Sequence, residues 1–319
     1  MERVSRVLRH IVQRLISLVP VVLGVSVTVF LILQLTPGDP ARLLAGQVPD
    51  PQVLENIRRE LGLDQPIHIQ YWNFLVGAVQ GDLGTSFRSG RPVIDEIRTR
   101  LPFTLELAVV GMAIALLVGV TAGVLAAYKR NTLYDLLTMI GSLIFVSMPG
   151  FWVALLLMLA FSLELRWLPA SGRGGPLWTV DGWRHVLLPA VTLSLSSAAI
   201  LARLTRASMV EVLNQDYIKT ARAKGVPNVV VVFKHTLKNA LIPVITLAGI
   251  QFGDMLANTA IIETVFAWPG ISRVGVQAIS SRDFPMVQGV VLFVAIVFVL
   301  VNMLVDLLYV FLDPRIKYD

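Results

Sequence analysis

Apolar residues in this chain gather into long, nearly uninterrupted runs, not into the short alternations of a half-buried strand or surface helix. A hydrocarbon layer about 30 Å thick takes roughly 20 such residues in helical form. Six runs reach that length, at about Ile11–Leu35, Pro102–Tyr128, Leu136–Leu163, Val186–Leu204, Ala240–Ile262 and Met286–Leu312. The pattern predicts an all-α polytopic membrane protein with six transmembrane helices. The first run outlasts the roughly 7–15 residues of a signal-peptide core, and no small-residue cleavage site closes it, so it is expected to remain as a span. An even number of spans returns both termini to one side.

Two polar stretches between the spans are too long to be simple connectors, which run to about 2–8 residues between packed helices. The first covers residues 36–101. Val53–Leu61 has helical spacing with Arg58 and Arg59 outward, and Tyr71–Gln80 has the aromatic, apolar character of an interfacial helix. Leu54, Ile57, Leu61, Ile69, Trp72, Phe74 and Leu75 are expected to form a small core there. The second stretch, Asp216 to Pro243, is charged and amphipathic. Met209, Leu213, Tyr217 and Ala221 recur every four residues, which assigns them to one helix face, with Lys219, Arg222 and Lys224 outside that stripe. Gly225 breaks the pattern, and Pro227 can open a helix but not continue one. Helix, sharp turn, helix is the shape of a docking device for a soluble partner.

Charge decides which side is which. The chain of 319 residues is 55% hydrophobic and 15% charged, against about 25% charged in soluble domains. One side of the predicted bundle holds Arg3, Arg6, Arg9, Arg14, Lys129, Arg130, Arg203, Arg206, Lys219, Arg222, Lys224, Lys234, Lys238, Arg315 and Lys317. The opposite short loops hold only Arg166, Arg173, Arg184, Arg273 and Arg282. Basic residues mark the cytoplasmic face, so both termini and the Asp216–Pro243 block are expected there. The net charge of +6 follows from that bias and calls for no nucleic acid. The chain then divides into a cytoplasmic N-terminus with the first span (1–35), an extracytoplasmic cap (36–101), a five-helix core (102–312) containing a cytoplasmic loop (205–239), and a cytoplasmic tail (313–319).

Several short motifs, in order, resemble the binding-protein-dependent ABC importer permeases of the dipeptide, oligopeptide, glutathione and nickel branch. Thr220-Ala221-Arg222-Ala223-Lys224-Gly225, with His235, Asn239-Ala240-Leu241 and Pro243, is similar to that family's "EAA" loop. Asp216-Tyr217-Ile218 stands where other branches have Glu-Ala-Ala. Thr36-Pro37-Gly38-Asp39-Pro40, Leu61-Gly62-Leu63-Asp64-Gln65-Pro66, Gly81-Asp82-Leu83-Gly84-Thr85-Ser86, Glu263-Thr264-Val265-Phe266 with Trp268-Pro269-Gly270, and Leu312-Asp313-Pro314-Arg315 extend the likeness along nearly the whole chain.

The resemblance implies a type I importer permease in a bacterial or archaeal inner membrane, without catalysis of its own. It implies as partners a second homologous permease, two ATP-binding cassette subunits or domains that bind ATP and Mg, and an extracytoplasmic solute-binding protein received by the cap. A cap that only packs on the other helices is the alternative. Peptides are the expected cargo, with glutathione or nickel complexes as alternatives. Asp216, Tyr217, Thr220, Ala221, Arg222, Ala223, Lys224 and Gly225 would couple the ATPases to the bundle. Ala221 and Ala223 are small enough for a close approach, and Gly225 permits the chain reversal. Arg222 and Lys224 would meet acidic groups or lipid phosphates, or serve simply as positive-inside charges.

Chemistry that would point elsewhere is missing from the sequence. There is no cysteine and no P-loop, HExxH or GxSxG motif, and the four histidines stand far apart, so neither a metal site nor a catalytic centre is expected. His235 reads as a structural hydrogen-bonder. Gln251, Asp254 and Asn258 share a face of the fifth span, lining a translocation path or forming a packing seam. Asn302 and Asp306 read as structural, Glu106 as interfacial, and Ser194, Ser196 and Ser197 beside Ala198 and Ala199 as a close-packing surface. No internal repeat and no matched pair of broken helices is evident, which sets an ATP-independent transporter or channel subunit second.

Overall fold

The computed structural model describes the backbone of residues 2–35, 40–45 and 50–312, and side chains within 16–35, 41–42, 45 and 50–304. Thr36–Asp39, Asp313-Pro314-Arg315 and the side chains of Asp306, Leu312 and the terminal basic residues lie outside that description. In chain order the helices are α1 (Glu2–Leu35), α2 (Pro40–Ala45), α3 (Pro51–Glu60), α4 (Ile67–Gln80), α5 (Val93–Tyr128), α6 (Leu133–Ser147), α7 (Gly150–Met158), α8 (Val180–Leu213), α9 (Asp216–Ala223), α10 (Asn228–Val230), α11 (Lys238–Val265), α12 (Ile271–Ser281) and α13 (Phe284–Leu312). Among the described residues the only strand-like pairing is one bridge between Thr85 and Pro92.

Among the described residues five stretches are long and apolar enough to cross a membrane: Ile16–Leu35, Val93–Tyr128, Val180–Leu213, Asn228–Val265 and Phe284–Leu304. A sixth arises only if α6 and α7, with its π-helical extension Leu159–Glu164, are one span bent by 104°. The sequence predicts a continuous helix over Leu136–Leu163, and the bend corrects it. Pro149 has no amide hydrogen and disfavours helical backbone at the residue before it. Met148 accordingly turns extended (φ −78°, ψ 130°), and Pro149 becomes the N-cap of the next helix.

The chain forms two compact units. The first comprises Met1–Pro102 and Gly270–Leu300. Its core gathers Leu83, Val93, Ile97, Ile271, Ala278, Met286, Val287 and Val290. The expected separate core under residues 53–75 is absent: α3 and α4 bury no residue, and Trp72 is 65% exposed. Phe74 instead leans on the main cluster of this unit, while Phe30 of α1 meets Tyr71 edge-on at 5.3 Å. Two helices of 10 and 14 residues are too short to enclose a core between them; α4 leans on the unit's main cluster through Phe74 and Ala78, while α3 packs beside α2.

Within this unit the Gly81–Ser86 motif acquires a role. Asp283, 2% exposed, accepts hydrogen bonds from Ser86 Oγ (2.5 Å) and from the Phe87 and Arg88 amides (3.1 and 3.3 Å). The same carboxylate lies 3.4 Å from the Met286 amide, so it also caps the start of α13.

The second unit comprises Phe103–Pro269 and Val301–Asp319. Helix α8 is its centre, packed against α6, α7 and α11. Helix α5 lies so close to α8 that a Cβ added to Gly119 or Gly123 would sit 2.6 or 2.5 Å from the Ala198 or Ala202 carbonyl oxygen. Small residues four apart on each helix allow that approach, in keeping with the packing expected around Ser194 and Ala198.

The Glu263–Trp268 motif closes the C-terminal end of α11. Glu263, Phe266 and Trp268 are all essentially buried, at 0, 1 and 0% exposure. Thr104 Oγ1 donates to Glu263 (2.6 Å), and Trp268 Nε1 donates to the Phe103 carbonyl (2.9 Å). Trp268→Ala is expected to cost about 3–5 kcal/mol, the usual range for emptying a large aromatic site. A thermal unfolding series in detergent would show it; an unchanged midpoint would remove Trp268 from the core.

Candidate functional site

Helix α8 ends at Leu213, and Gln215 turns extended (φ −69°, ψ 149°) to start α9. This break corrects the single helical stripe expected over Met209–Ala221. Met209 is fully buried, but beyond the break the register shifts, so Ile218 is fully buried and Tyr217 is 45% exposed. A two-residue non-helical link rotates the second helix relative to the first, and four-residue spacing cannot register that.

Helix α9 is a short, well-terminated element. Asp216 sits in its first turn and Arg222 in its last, each favourable to the helix dipole. Its C-terminus carries paired bonds from the Gly225 amide to the Arg222 carbonyl (2.9 Å) and from the Val226 amide to the Ala221 carbonyl (3.2 Å). That is a Schellman closure, which needs a left-handed residue at its turn. Gly225 supplies it with φ +78°. Pro227 then caps the helical stretch that becomes α11.

The surface of α9 is mixed. Asp216, Lys219, Thr220, Arg222, Ala223 and Lys224 are exposed, and Ala221 is half-buried. Lys219 pairs with Asp216 at 2.8 Å, but both are largely in solvent, so the pair contributes little to stability. On the inner side, α9 packs on the π-helical turn Val231–Leu237. Tyr217 OH accepts a hydrogen bond from Asn239 Nδ2 (2.8 Å), tying α9 to the base of α11. The His235 carbonyl accepts a second bond from the same amide (3.1 Å). Helix α9 thus hangs between α8 and α11, touching the root of the second.

Those two helices, with the bend between α6 and α7, wall a cavity of about 500 Å³. That volume falls within the roughly 300–1,000 Å³ of small-molecule sites. Gln251, Asp254 and Asn258 all line it, together with Thr192, Ser196 and Ser197 of α8. Gln251 is 92% buried and donates to Ser197 Oγ (3.1 Å), so it serves both the wall and the α8–α11 seam. Asn258 donates to the Asp254 carbonyl (2.8 Å), and both side chains are exposed to the cavity side. Phe145, Phe151 and Ile261 complete an apolar remainder.

Two ion pairs escaped sequence reasoning. Arg206 of α8 grips Asp135 of α6 through Nε (2.5 Å) and its terminal nitrogen (2.7 Å), and the Asn131 amide adds a bond at 3.0 Å. Arg173 bonds Glu106 at 2.9 Å while stacking on Phe103 at 4.4 Å, so Glu106 is half-buried and paired, not merely interfacial. Residues 71 and 67 positions apart meet here, and no local signal reports it. Asp135→Ala is expected to cost about 3 kcal/mol, because it leaves a guanidinium unpaired in a place three-quarters withdrawn from solvent. Thermal melting should show that Asp135→Leu with Arg206→Met recovers most of the loss; no recovery would argue that the pair does more than neutralise itself.

Comparison with known proteins bears on this geometry. Residues 119–318 match the family described as binding-protein-dependent transport system inner membrane component, and residues 7–108 match its N-terminal companion. The chain is 46% identical over 311 residues to the glutathione transport system permease protein GsiC of Escherichia coli K12, covering 98% of this chain and 99% of that one. The GsiC protein of Shigella dysenteriae serotype 1 is equally similar, at 46% over the same lengths. Among solved structures, the inward-facing MetNI methionine ABC transporter matches with a TM-score of 0.56 at 20% identity, covering 68% of this chain and 96% of that chain. An amino acid ABC transporter with histidines matches with a TM-score of 0.51 at 17% identity, covering 70% and 94%. Both show the fold, which is that of type I ABC importer permeases.

Proposed function

The chain belongs to the family of binding-protein-dependent transport system inner membrane components, and from that premise we propose how it moves its cargo. It is a multi-pass, non-catalytic permease subunit of an ABC importer in the dipeptide and glutathione branch. Its cargo is proposed to be a small peptide, a class to which glutathione, the substrate named for the Escherichia coli relative, also belongs. The working assembly contains a second homologous permease, two ATP-binding cassette subunits or domains, and a solute-binding protein met by residues 36–101. ATP and Mg sit on the cassette subunits, and both termini of this chain face the cytoplasm.

One observation carries the mechanism: the exposed helix α9 bridges α8 and α11, the two helices that wall the cavity. A cassette subunit that receives Ala221, Ala223, Arg222 and Lys224 in a groove moves α9 as a unit when ATP closes its dimer. Through the Schellman turn at Gly225 and the Tyr217–Asn239 bond, that motion reaches the root of α11. Gln251, Asp254 and Asn258 ride on α11, so the cavity exchanges its outward and inward openings. The cargo biases this exchange only as far as its affinity differs between the two states.

The test is reconstitution of the purified assembly in vesicles with its binding protein, measuring labelled glutathione and labelled dialanine. ATP-dependent accumulation of either is expected. Accumulation that proceeds without ATP or cassette subunits would instead make the chain an ATP-independent carrier.

A further inference from the structure

The cavity wall has an unbalanced chemistry. Asp254 is the single charged residue among those lining it; the rest of its polar lining is amide and hydroxyl. A carboxylate placed within a span costs about 2.5–3.5 kcal/mol on insertion, so it normally has a partner or a wet cavity. The Asp254 carboxylate has no hydrogen bond or ion pair to any described residue, and its side chain is exposed. Three acids deep in the helices of this unit differ: Asp135 and Glu106 hold arginines, and Glu263 is buried against Thr104. Asp254 is therefore not part of the chain's own structural pairing.

We propose that this chain contributes a subsite for a primary ammonium group, centred on Asp254, and that the carboxylates of the same cargo are met by groups outside this chain. The inference rests on the peptide reading above. A zwitterionic or anionic peptide brings an ammonium group and one or more carboxylates. Near Asp254 the first is attracted and the second repelled, by about 1 kcal/mol each at 4 Å even in water and by more in a drier site. Thr192, Ser196, Ser197, Gln251 and Asn258 offer neutral hydrogen bonds to peptide groups but no positive charge. A peptide carboxylate must then find its counter-charge elsewhere in the assembly, and the peptide enters with its amino end toward this chain.

Two measurements on the reconstituted assembly test this, and they fail independently of each other. The chain has no native cysteine, so Ser196→Cys places one thiol label in the cavity wall. Its reaction rate with a trimethylammonium methanethiosulfonate is compared with that of the sulfonate analogue. Asp254→Asn is expected to lower the cation-to-anion rate ratio by on the order of tenfold. An unchanged ratio overturns the subsite, because Asp254 would then be neutralised or turned away. In the second measurement, wild-type uptake should favour dialanine over N-acetyl-dialanine, and glutathione over its N-acetyl derivative, by about tenfold, with Asp254→Asn cutting that preference to about twofold. Retained preference in the variant also overturns the proposal. A shifted labelling ratio with no peptide uptake at all would reject the peptide cargo while leaving a cation subsite in place.

Discussion

Gly123→Val is expected to prevent stable folding of the second unit. The Cβ alone would stand 2.5 Å from the Ala202 carbonyl oxygen and 2.6 Å from Thr205 Cβ. The first of these neighbours is helical backbone, which cannot swing aside as a long side chain can. Relief requires α5 and α8 to separate, and that opens the contacts around Leu193, Ala198 and Leu201 in the main core. Overpacking ordinarily costs about 1–3 kcal/mol, and Gly123→Ala is placed in that range. Valine adds two further methyl groups and should exceed it. Yield of monodisperse protein and its thermal midpoint in detergent are the readouts. Gly141→Val serves as control, since nothing lies within 4 Å of a Cβ there. Equal loss in both variants would point to valine in a span as the cause, not to the close helix approach.

Gly225→Val is expected to leave the protein folded and membrane-inserted while separating ATP hydrolysis from uptake. No atom lies within 4 Å of a Cβ built at Gly225, so packing does not forbid the side chain. The backbone does: φ is +78°, where an L-residue pays about 1–2 kcal/mol and a β-branched one more. That is enough to undo the paired Schellman bonds and fray the last turn of α9, which carries Ala221 to Lys224. Uptake in vesicles should fall at least about tenfold, the effect of roughly 1.4 kcal/mol, while ATP hydrolysis by the assembly falls much less. Gly225→Asn should keep most uptake, because asparagine tolerates the left-handed region. If valine and asparagine behave alike, the turn geometry is not what transmits the motion.

Much of the fold was legible from local pattern. Run length identified the five long apolar helices among the described residues, since hydrocarbon thickness sets a length that a sequence displays directly. The α9 boundary at Gly225 and the helix start after Pro227 were legible for a similar reason: turn chemistry is a property of single residues. Pro149 also announced a break, yet the apolar run on either side of it read as one helix, and the 104° bend came only from the structure.

What stayed hidden depends on direction or distance. The inward turn of Ile218 instead of Tyr217 depends on how Asn214 and Gln215 rotate one helix against the next. The pairing of Asp135 with Arg206, and of Thr104 with Glu263, joins residues 71 and 159 positions apart. The apolar residues at 54–75 looked like a core because composition records how much apolar surface exists, not which neighbour covers it.

The sequence by itself determined that this chain crosses the membrane, which positions are apolar, and where the segment between α8 and α11 turns. These follow from solvent preference and backbone chemistry, and both act residue by residue. Only the tertiary structure decided that Gln251, Asp254 and Asn258 open on one cavity with the serines of α8, and that the Asp254 carboxylate is left without a hydrogen bond or counter-charge from any described residue of this chain. Whether a charge is paired depends on what the rest of the fold brings within a few ångströms of it, and a linear pattern does not contain that distance.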